Sequence, residues 1–337
     1  MLSLYLHFPF CKRKCSYCDF CSFPAGEGEV AAYCAALEKE IALTAERYGA
    51  LPVDTVFLGG GTPSLVPAPL MAGVLRALRE RFTLAPGAEF TAEANPGTLT
   101  PAWLDTLAAA GGNRLSLGVQ AAQARLLNVL GRIHDFQQAR EAFAMARSHG
   151  FTNLNADAMF GLPTQTAREY LATLEALVSL DVTHVSAYSL ILEEGTPLFG
   201  NLGRGELALP GEDDVAEMME RGVDLLESRG YRRYEISNFA REGFACRHNL
   251  GCWRQKPYLG LGLNAASLLP PPEEEPETTY VRSANTASMA EYLRALAENR
   301  LPVAETQPIH KEEAMFEAVM LGLRTVEGVA YADFERR

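Results

Sequence analysis

The sequence predicts an α/β fold in which a parallel sheet is covered by crossover helices. Three observations carry this. Six short apolar or β-branched runs, Leu4–Phe8, Asp54–Leu58, Glu89–Glu93, Arg114–Val119, Asn153–Met159 and His184–Leu190, alternate with stretches of helical periodicity. Helix-start signals fall between them. The 337 residues, 48% of them hydrophobic, suffice for one large core and a smaller appendage. Periodicity alone allows either a doubly wound sheet or a barrel.

The first run leads directly into a loop of cysteines. From Val30 to Tyr48, Tyr33, Leu37 and Ile41 form the apolar face of a helix. The second run ends in Gly59-Gly60-Gly61-Thr62-Pro63, and Leu70, Val74, Leu78 and Phe82 then share one helical face. After the third run comes Asn95-Pro96-Gly97, and Thr100 caps a helix with Pro101 at its first position. Thr166 and Glu169 form a capping box for a later helix. The character changes after Tyr231–Ser237, which divides the chain into residues 1–237 and 238–337. In the second part, Leu268–Pro276 is a low-complexity run read as a solvated loop, and helical pattern returns over Ser288–Asn299 and Lys311–Leu323.

A formal charge of −12 argues against nucleic acid as a partner. No apolar run reaches membrane-spanning length, and Leu2–Phe10 lacks a signal-peptide pattern. Seven cysteines, an odd number crowded at one end, do not form a disulfide framework and point to a reducing cytoplasm.

Cys11, Cys15 and Cys18 stand at C-x3-C-x2-C spacing after a strand. Three thiolates so placed can hold a [4Fe–4S] cluster and leave one iron open to a small molecule. Lys12, Arg13 and Lys14 beside them are expected to lower the thiol pKa values. The rival is a zinc site with Cys21 as fourth ligand, although four cysteines within residues 11–21 fit iron–sulfur spacing better. The glycines at 59–61 let backbone approach a ligand and offer N–H groups to it, or make an ordinary tight turn. Glu93, Gln120, Arg132 and Asp157 each fall at or just beyond a strand end. Singly, each is a surface polar residue or a helix cap. The carboxylates can accept from hydroxyl or amine donors, and the arginine can pair with a carboxylate.

The run "YLHFPFCKRKCSYCDF" resembles the radical S-adenosylmethionine (SAM) superfamily, in the HemN-like branch of oxygen-independent coproporphyrinogen III oxidases and HemW-like heme chaperones. "EANP", "NRLSLGVQ", "LGRIH" and "DAMFGLP" match the branch in order and spacing. The resemblance implies a partial (β/α)6 barrel with a smaller C-terminal α+β domain, which looks short here. It also implies a [4Fe–4S] cluster on Cys11, Cys15 and Cys18, with S-adenosyl-L-methionine on its open iron. SAM cleavage to methionine and a deoxyadenosyl radical follows from that, with an electron donor such as flavodoxin or ferredoxin. Tyr5, Tyr17, Gly60, Gly61, Thr62, Glu93, Gln120, Arg132 and Asp157 match positions around SAM, and no catalytic residue is singled out.

Two features count against the decarboxylase. Phe20 stands where those oxidases carry a fourth cysteine, and only ten residues precede Cys11, where they have a long segment. "YEISNFAREGFACRHNLGCW" is similar to the chaperone branch, whose His-Asn-x-x-Tyr-Trp motif is associated with heme. Here Cys252 replaces the tyrosine, and Ala266 falls in a segment where relatives carry a histidine. His248 and Cys252, four residues apart, would share a helix face, and both side-chain types ligate heme iron. The alternative is that His248 packs and Cys252 fills space. The resemblance thus implies a heme chaperone with a heme-acceptor protein as partner. Alternatives are coproporphyrinogen III oxidation and a diverged radical enzyme.

Overall fold

The alternation seen in the sequence becomes, in space, an apolar outer face and a polar inner face on one curved sheet. The computed structural model describes residues 1–48, 51–271 and 278–331. The parallel part comprises β1 (Leu2–Phe8), β2 (Val53–Gly60), β3 (Leu84–Ala94), β4 (Arg114–Gln120), β5 (Asn153–Phe160) and β6 (His184–Ser189). These strands lie side by side in chain order. Helices α1 (Glu27–Tyr48), α2 (Ala68–Arg81), α3 (Pro101–Ala109), α4 (Ala124–Val129), α5 (Phe136–Ser148) and α6 (Ala167–Ser179) connect them. The predicted caps are present: the Thr100 side chain accepts from the Trp103 N–H, and Thr166 and Glu169 cap each other's backbone N–H. A further box, Asp135 with Gln138, starts α5.

Outward-facing Leu4, Leu6, Val56, Leu58, Leu115 and Leu117 are fully buried against this helical layer. Each such side chain contributes about 1.5–3 kcal/mol relative to exposure. The alternate residues, among them Ser3, Thr55, Thr91, Arg114, Ser116, Asn155 and His184, are also buried but polar. They face the inside of the curve.

After α7 (Pro197–Gly203) and α8 (Glu212–Ser228), β7 (Arg232–Arg233) and β8 (Asn238–Ala240) extend the sheet beyond β6, with β8 antiparallel to it. Helix α9 (Arg247–Trp253) follows. The chain then returns to the opposite edge. There β9 (Tyr258–Leu261) pairs parallel with β1, and β10 (Ala266–Leu269), β11 (Thr278–Asn285) and β12 (Val303–His310) continue antiparallel. The last helices are α10 (Met289–Ala297) and α11 (Lys311–Gly322). All twelve strands form one sheet, which continues across residue 237, and among the described residues it does not close. The Pro/Glu run expected to be a loop lies partly outside the described residues, at 272–277.

Buried Glu40 of α1 ties the two ends of the chain together. Its Oε2 accepts from the Gly262 N–H (2.8 Å) and the Tyr292 hydroxyl (2.5 Å), and its Oε1 from Asn285 Nδ2 (2.6 Å). Burial pushes its carboxyl up from 4.5 to about 7. The folded state therefore holds a proton that the unfolded chain has released, so stability from this group is full below pH 4.5 and falls as pH rises to 7. Glu40→Gln is expected to flatten that decline in urea titrations run across the window. Glu40→Ala strands three donors and should cost about 2–4 kcal/mol. A Glu40→Gln profile as steep as that of the wild type would refute the assignment.

Candidate functional site

The cysteine loop lies at the C-terminal end of β1 and is fastened across the top of the barrel. Cys11 N–H donates to Phe23 O (3.0 Å), and Ser16 N–H donates to Leu130 O (3.0 Å). Arg13 Nη2 donates to Gly131 O (2.7 Å), and Lys14 Nζ to Phe20 O (2.9 Å). Cys11, Cys15 and Cys18 are half-buried, and all three line one cavity of about 340 Å³. The Cys11 Sγ is 3.7 Å from Thr62 Oγ1, and Arg132 Nη1 donates to Cys15 Sγ at 3.5 Å. Cys21 is not among the lining residues; its carbonyl accepts from His7 Nε2 (2.8 Å). Among the described residues no three or more His, Cys, Asp or Glu converge as one metal ion would need. A cluster takes each thiolate on a separate iron and does not need that convergence.

The expected lowering of the thiol pKa values is not found at Cys18. Lys14 does pull it down, but burial outweighs that charge and raises it. Burial likewise raises Cys21.

Tyr17, Gly60, Gly61, Thr62, Glu93, Gln120, Arg132 and Asp157 line the same cavity as the three cysteines. Gly60 has φ 107°, and a Cβ there would meet the His7 ring at 2.5 Å. A Cβ on Gly61 would lie 2.6 Å from Phe10 O. Glycine is therefore needed for close packing at both positions. Their amides are not free for a ligand, as the sequence suggested: Gly60 N–H donates to Glu93 Oε2 (3.2 Å) and Gly61 N–H to Phe8 O (2.8 Å).

Burial, reinforced by the Asp157 charge, pushes the Glu93 carboxyl up to about 8. Asp157 is also raised by burial, although Asn155 Nδ2 donates to it at 2.7 Å. Gln120 adopts φ 73° and its Oε1 accepts from the Tyr188 hydroxyl (2.9 Å). Arg132 also donates to Gly118 O, which leaves its buried Nε without a partner. Burial raises the Tyr17 hydroxyl too. Tyr5 does not line the cavity as expected. Its ring stacks near Phe57 (6.3 Å between centroids), and its hydroxyl donates to His7 Nδ1 (3.0 Å), since Nε2 carries the proton given to Cys21.

The heme pair is not brought together on an open surface. His248 and Cys252 both lie on α9, but His248 is 6% exposed and turned into the barrel. Its Nδ1 bonds the Thr55 hydroxyl (2.8 Å), and its ring packs 5.0 Å from Phe57. Burial, then the Arg114 charge, lowers its pKa to about 4. Cys252 is exposed.

Sequence reasoning missed Arg114, Ser116, Asn155, Ser186, Tyr188, Asn238 and Asn249, which also line the cavity. A signal existed for some of them. Polar residues recur at every second position of β4 and β5, in register with Glu93 and Asp157.

An open parallel barrel with three thiols at its mouth and buried carboxyls and guanidinium below them defines a protein of the radical SAM type. The donor set fits both groups: thiols for a cluster, and buried polar atoms, including an unpartnered Arg132 Nε, for SAM. The Radical SAM superfamily matches residues 5–177 and the HemN C-terminal domain residues 309–337. The heme chaperone HemW of Bacillus subtilis is 36% identical over 341 residues, covering 100% of this chain and 87% of that protein. HemW of Escherichia coli is 41% identical over 266 residues, 78% of this chain and 69% of the relative. The chain belongs to the HemW family of radical SAM proteins. Among solved structures, the E. coli coproporphyrinogen III oxidase HemN superposes with a TM-score of 0.84 at 23% identity, over 99% of this chain and 78% of that one, which shows the shared fold.

Cys11→Ala, Cys15→Ala and Cys18→Ala are each expected to remove most iron and the broad visible absorption from anaerobically reconstituted protein. Cys21→Ala should keep both, and equal loss from all four variants would show a different ligand set. Glu93→Ala and Asp157→Ala should each weaken SAM binding by about 1–3 kcal/mol in calorimetry, because a polar ligand atom is left unpaired. A cationic ligand group beside Glu93 favours the ionised carboxylate, so SAM affinity should rise with pH up to about 8 and level off above it. An affinity independent of pH from 6 to 9 would exclude that role.

Proposed function

We propose that the chain is a heme chaperone that binds a [4Fe–4S] cluster and SAM in the barrel and delivers heme to an acceptor protein. The observation that carries this is similarity to HemW proteins over the whole chain, joined to a cavity that keeps the three thiols and the polar positions expected around SAM. HemN shares the fold, but fold does not fix substrate.

Cys11, Cys15 and Cys18 would hold the cluster, with Thr62 and Arg132 beside two of the sulfurs. When bound and reduced, the cluster supplies one electron for SAM cleavage. Arg132 would take the methionyl carboxylate and Glu93 the amine, while Gln120 and Asp157 reach the ribose. Tyr17 closes the pocket, and Tyr5 steadies it through Phe57 and His7. The exposed loop residues Lys12 and Arg13 give a small acidic electron carrier, such as a flavodoxin or ferredoxin, a basic place to dock. Among the described residues no helix is long and apolar enough to cross a membrane, and the proposed setting is the cytoplasm.

Heme meets this chain at α9. Cys252 is the member of the predicted pair offered to a ligand there; His248 is held by Thr55 and Phe57. Anaerobically reconstituted protein is expected to bind heme saturably with a defined Soret band and not to decarboxylate coproporphyrinogen III. Cys252→Ala should shift or weaken the band. His248→Ala should leave it in place and lower thermal stability instead. Turnover of the porphyrinogen without saturable heme binding would replace this reading with that of the oxidase.

A further inference from the structure

The assignments around SAM leave one end of the cavity unexplained. Arg114, the first residue of β4, reaches into it from the amino-terminal end of the strands and is 2% exposed. A buried guanidinium ordinarily lies against a carboxylate, because an unpaired buried charge costs several kcal/mol. Here the Nε has no hydrogen-bond partner. The nearby acids, Glu89 and Asp157, act on it through charge. Glu89 is committed elsewhere: its carboxylate accepts from the backbone N–H groups of Arg247 (2.9 Å) and His248 (3.0 Å) and from Cys246 Sγ (3.4 Å), at the start of α9. Asp157 accepts from Asn155.

A second orphan faces the same space. Asn238 on β8 is 9% exposed and lines the cavity; its side chain bonds Glu235, and its Oδ1 has no partner. Asn249 of α9 adds an amide to the wall. An Arg114 Nε without an acceptor and an Asn238 Oδ1 without a donor thus line one cavity. Buried polar groups in folded proteins are almost always satisfied, so the pair indicates a ligand with complementary groups. The Nε side of a guanidinium matches a planar carboxylate, and the Asn238 carbonyl calls for an O–H or N–H.

We propose that Arg114, Asn238 and Asn249 form a second ligand subsite beneath the SAM positions, for a small carboxylate that carries a hydroxyl or amino donor. It rests on the SAM reading only in leaving the methionyl carboxylate to Arg132, and it goes beyond heme binding by giving the barrel a small-molecule ligand of its own.

L-Lactate serves as the probe and lactamide as its uncharged counterpart. Both are measured by saturation-transfer NMR on cluster-reconstituted protein, with and without saturating SAM, and SAM affinity is read in parallel by calorimetry. Lactate is expected to bind the SAM-loaded protein, with lactamide weaker by about tenfold or more, the factor a charge-assisted hydrogen bond gives. Arg114→Gln should lose lactate binding. Asn249→Asp, nearly isosteric but anionic, should lose it as well, so the outcome does not depend on how the Arg114 variant folds. Equal binding of lactamide, or lactate binding that survives both variants, would overturn the subsite. Lactate that binds only without SAM, and is displaced by it, would show that the space belongs to SAM. Failure of SAM to bind at all would instead strike the SAM reading, and the calorimetry separates the two.

Discussion

Everything in this molecule depends on keeping a polar face buried inside an open barrel. Barrel interiors are ordinarily packed with layers of Val, Ile and Leu. Here the inward positions of β3, β4, β5 and β6 hold Glu93, Arg114, Asn155, Asp157 and His184. Each needs partners, because an unsatisfied buried polar group costs about 1–3 kcal/mol, and all but Arg114 find them within the chain. The partners come from neighbouring strands. Asn155 donates to Ser116 (2.7 Å) and Asp157, and accepts from His184 Nδ1 (2.6 Å), whose Nε2 in turn accepts from the Tyr234 hydroxyl (2.8 Å). The binding surface is therefore held in place by the same bonds that join the strands on the inside, while the outward leucines join them to the helices.

The first six strands and their helices were legible because each strand is flanked by caps and turns and presents a full apolar face. The thiols were legible from spacing, and Glu93, Gln120, Arg132 and Asp157 from their match to the family motifs, although Arg132 lies beyond α4 and Asp157 inside β5 rather than at a strand end. The last four strands were not. Strand β12 is exposed at every position but Ile309 and contains Pro308, so it has no apolar alternation to read. The orientation of His248 was also hidden. Four-residue spacing places two side chains near one helix face but does not say that this face meets Glu89, Thr55 and Phe57. The glycine amides misled for a related reason: sequence shows that glycine is required there, and only coordinates show that the close neighbour is this chain's own backbone.

HemN shares this scaffold, and the departures of this chain from the family motifs fall at Phe20 in the cysteine loop, Cys252 on α9 and Ala266 at the start of β10. The inner residues of the strands form a frame held by their mutual hydrogen bonds. Such a frame can keep its cavity while its outer surface changes. Cys252 belongs to that changeable surface, and His248 to the frame.

The pairing of β1 with β9 also constrains the order of assembly. Leu4 lies beside Leu259, so β1 has one edge open until nearly the whole barrel has been made. Contacts this distant in sequence form slowly, since the intervening loop must close first. Helix α9, whose N-terminal amides are seated on Glu89 inside the barrel, arrives only a few residues earlier. A chain interrupted before residue 246 would carry all three cluster cysteines on a barrel with an empty base and a bare edge. Iron loaded at that stage would meet a barrel still lacking β9 and the seat of α9 on Glu89.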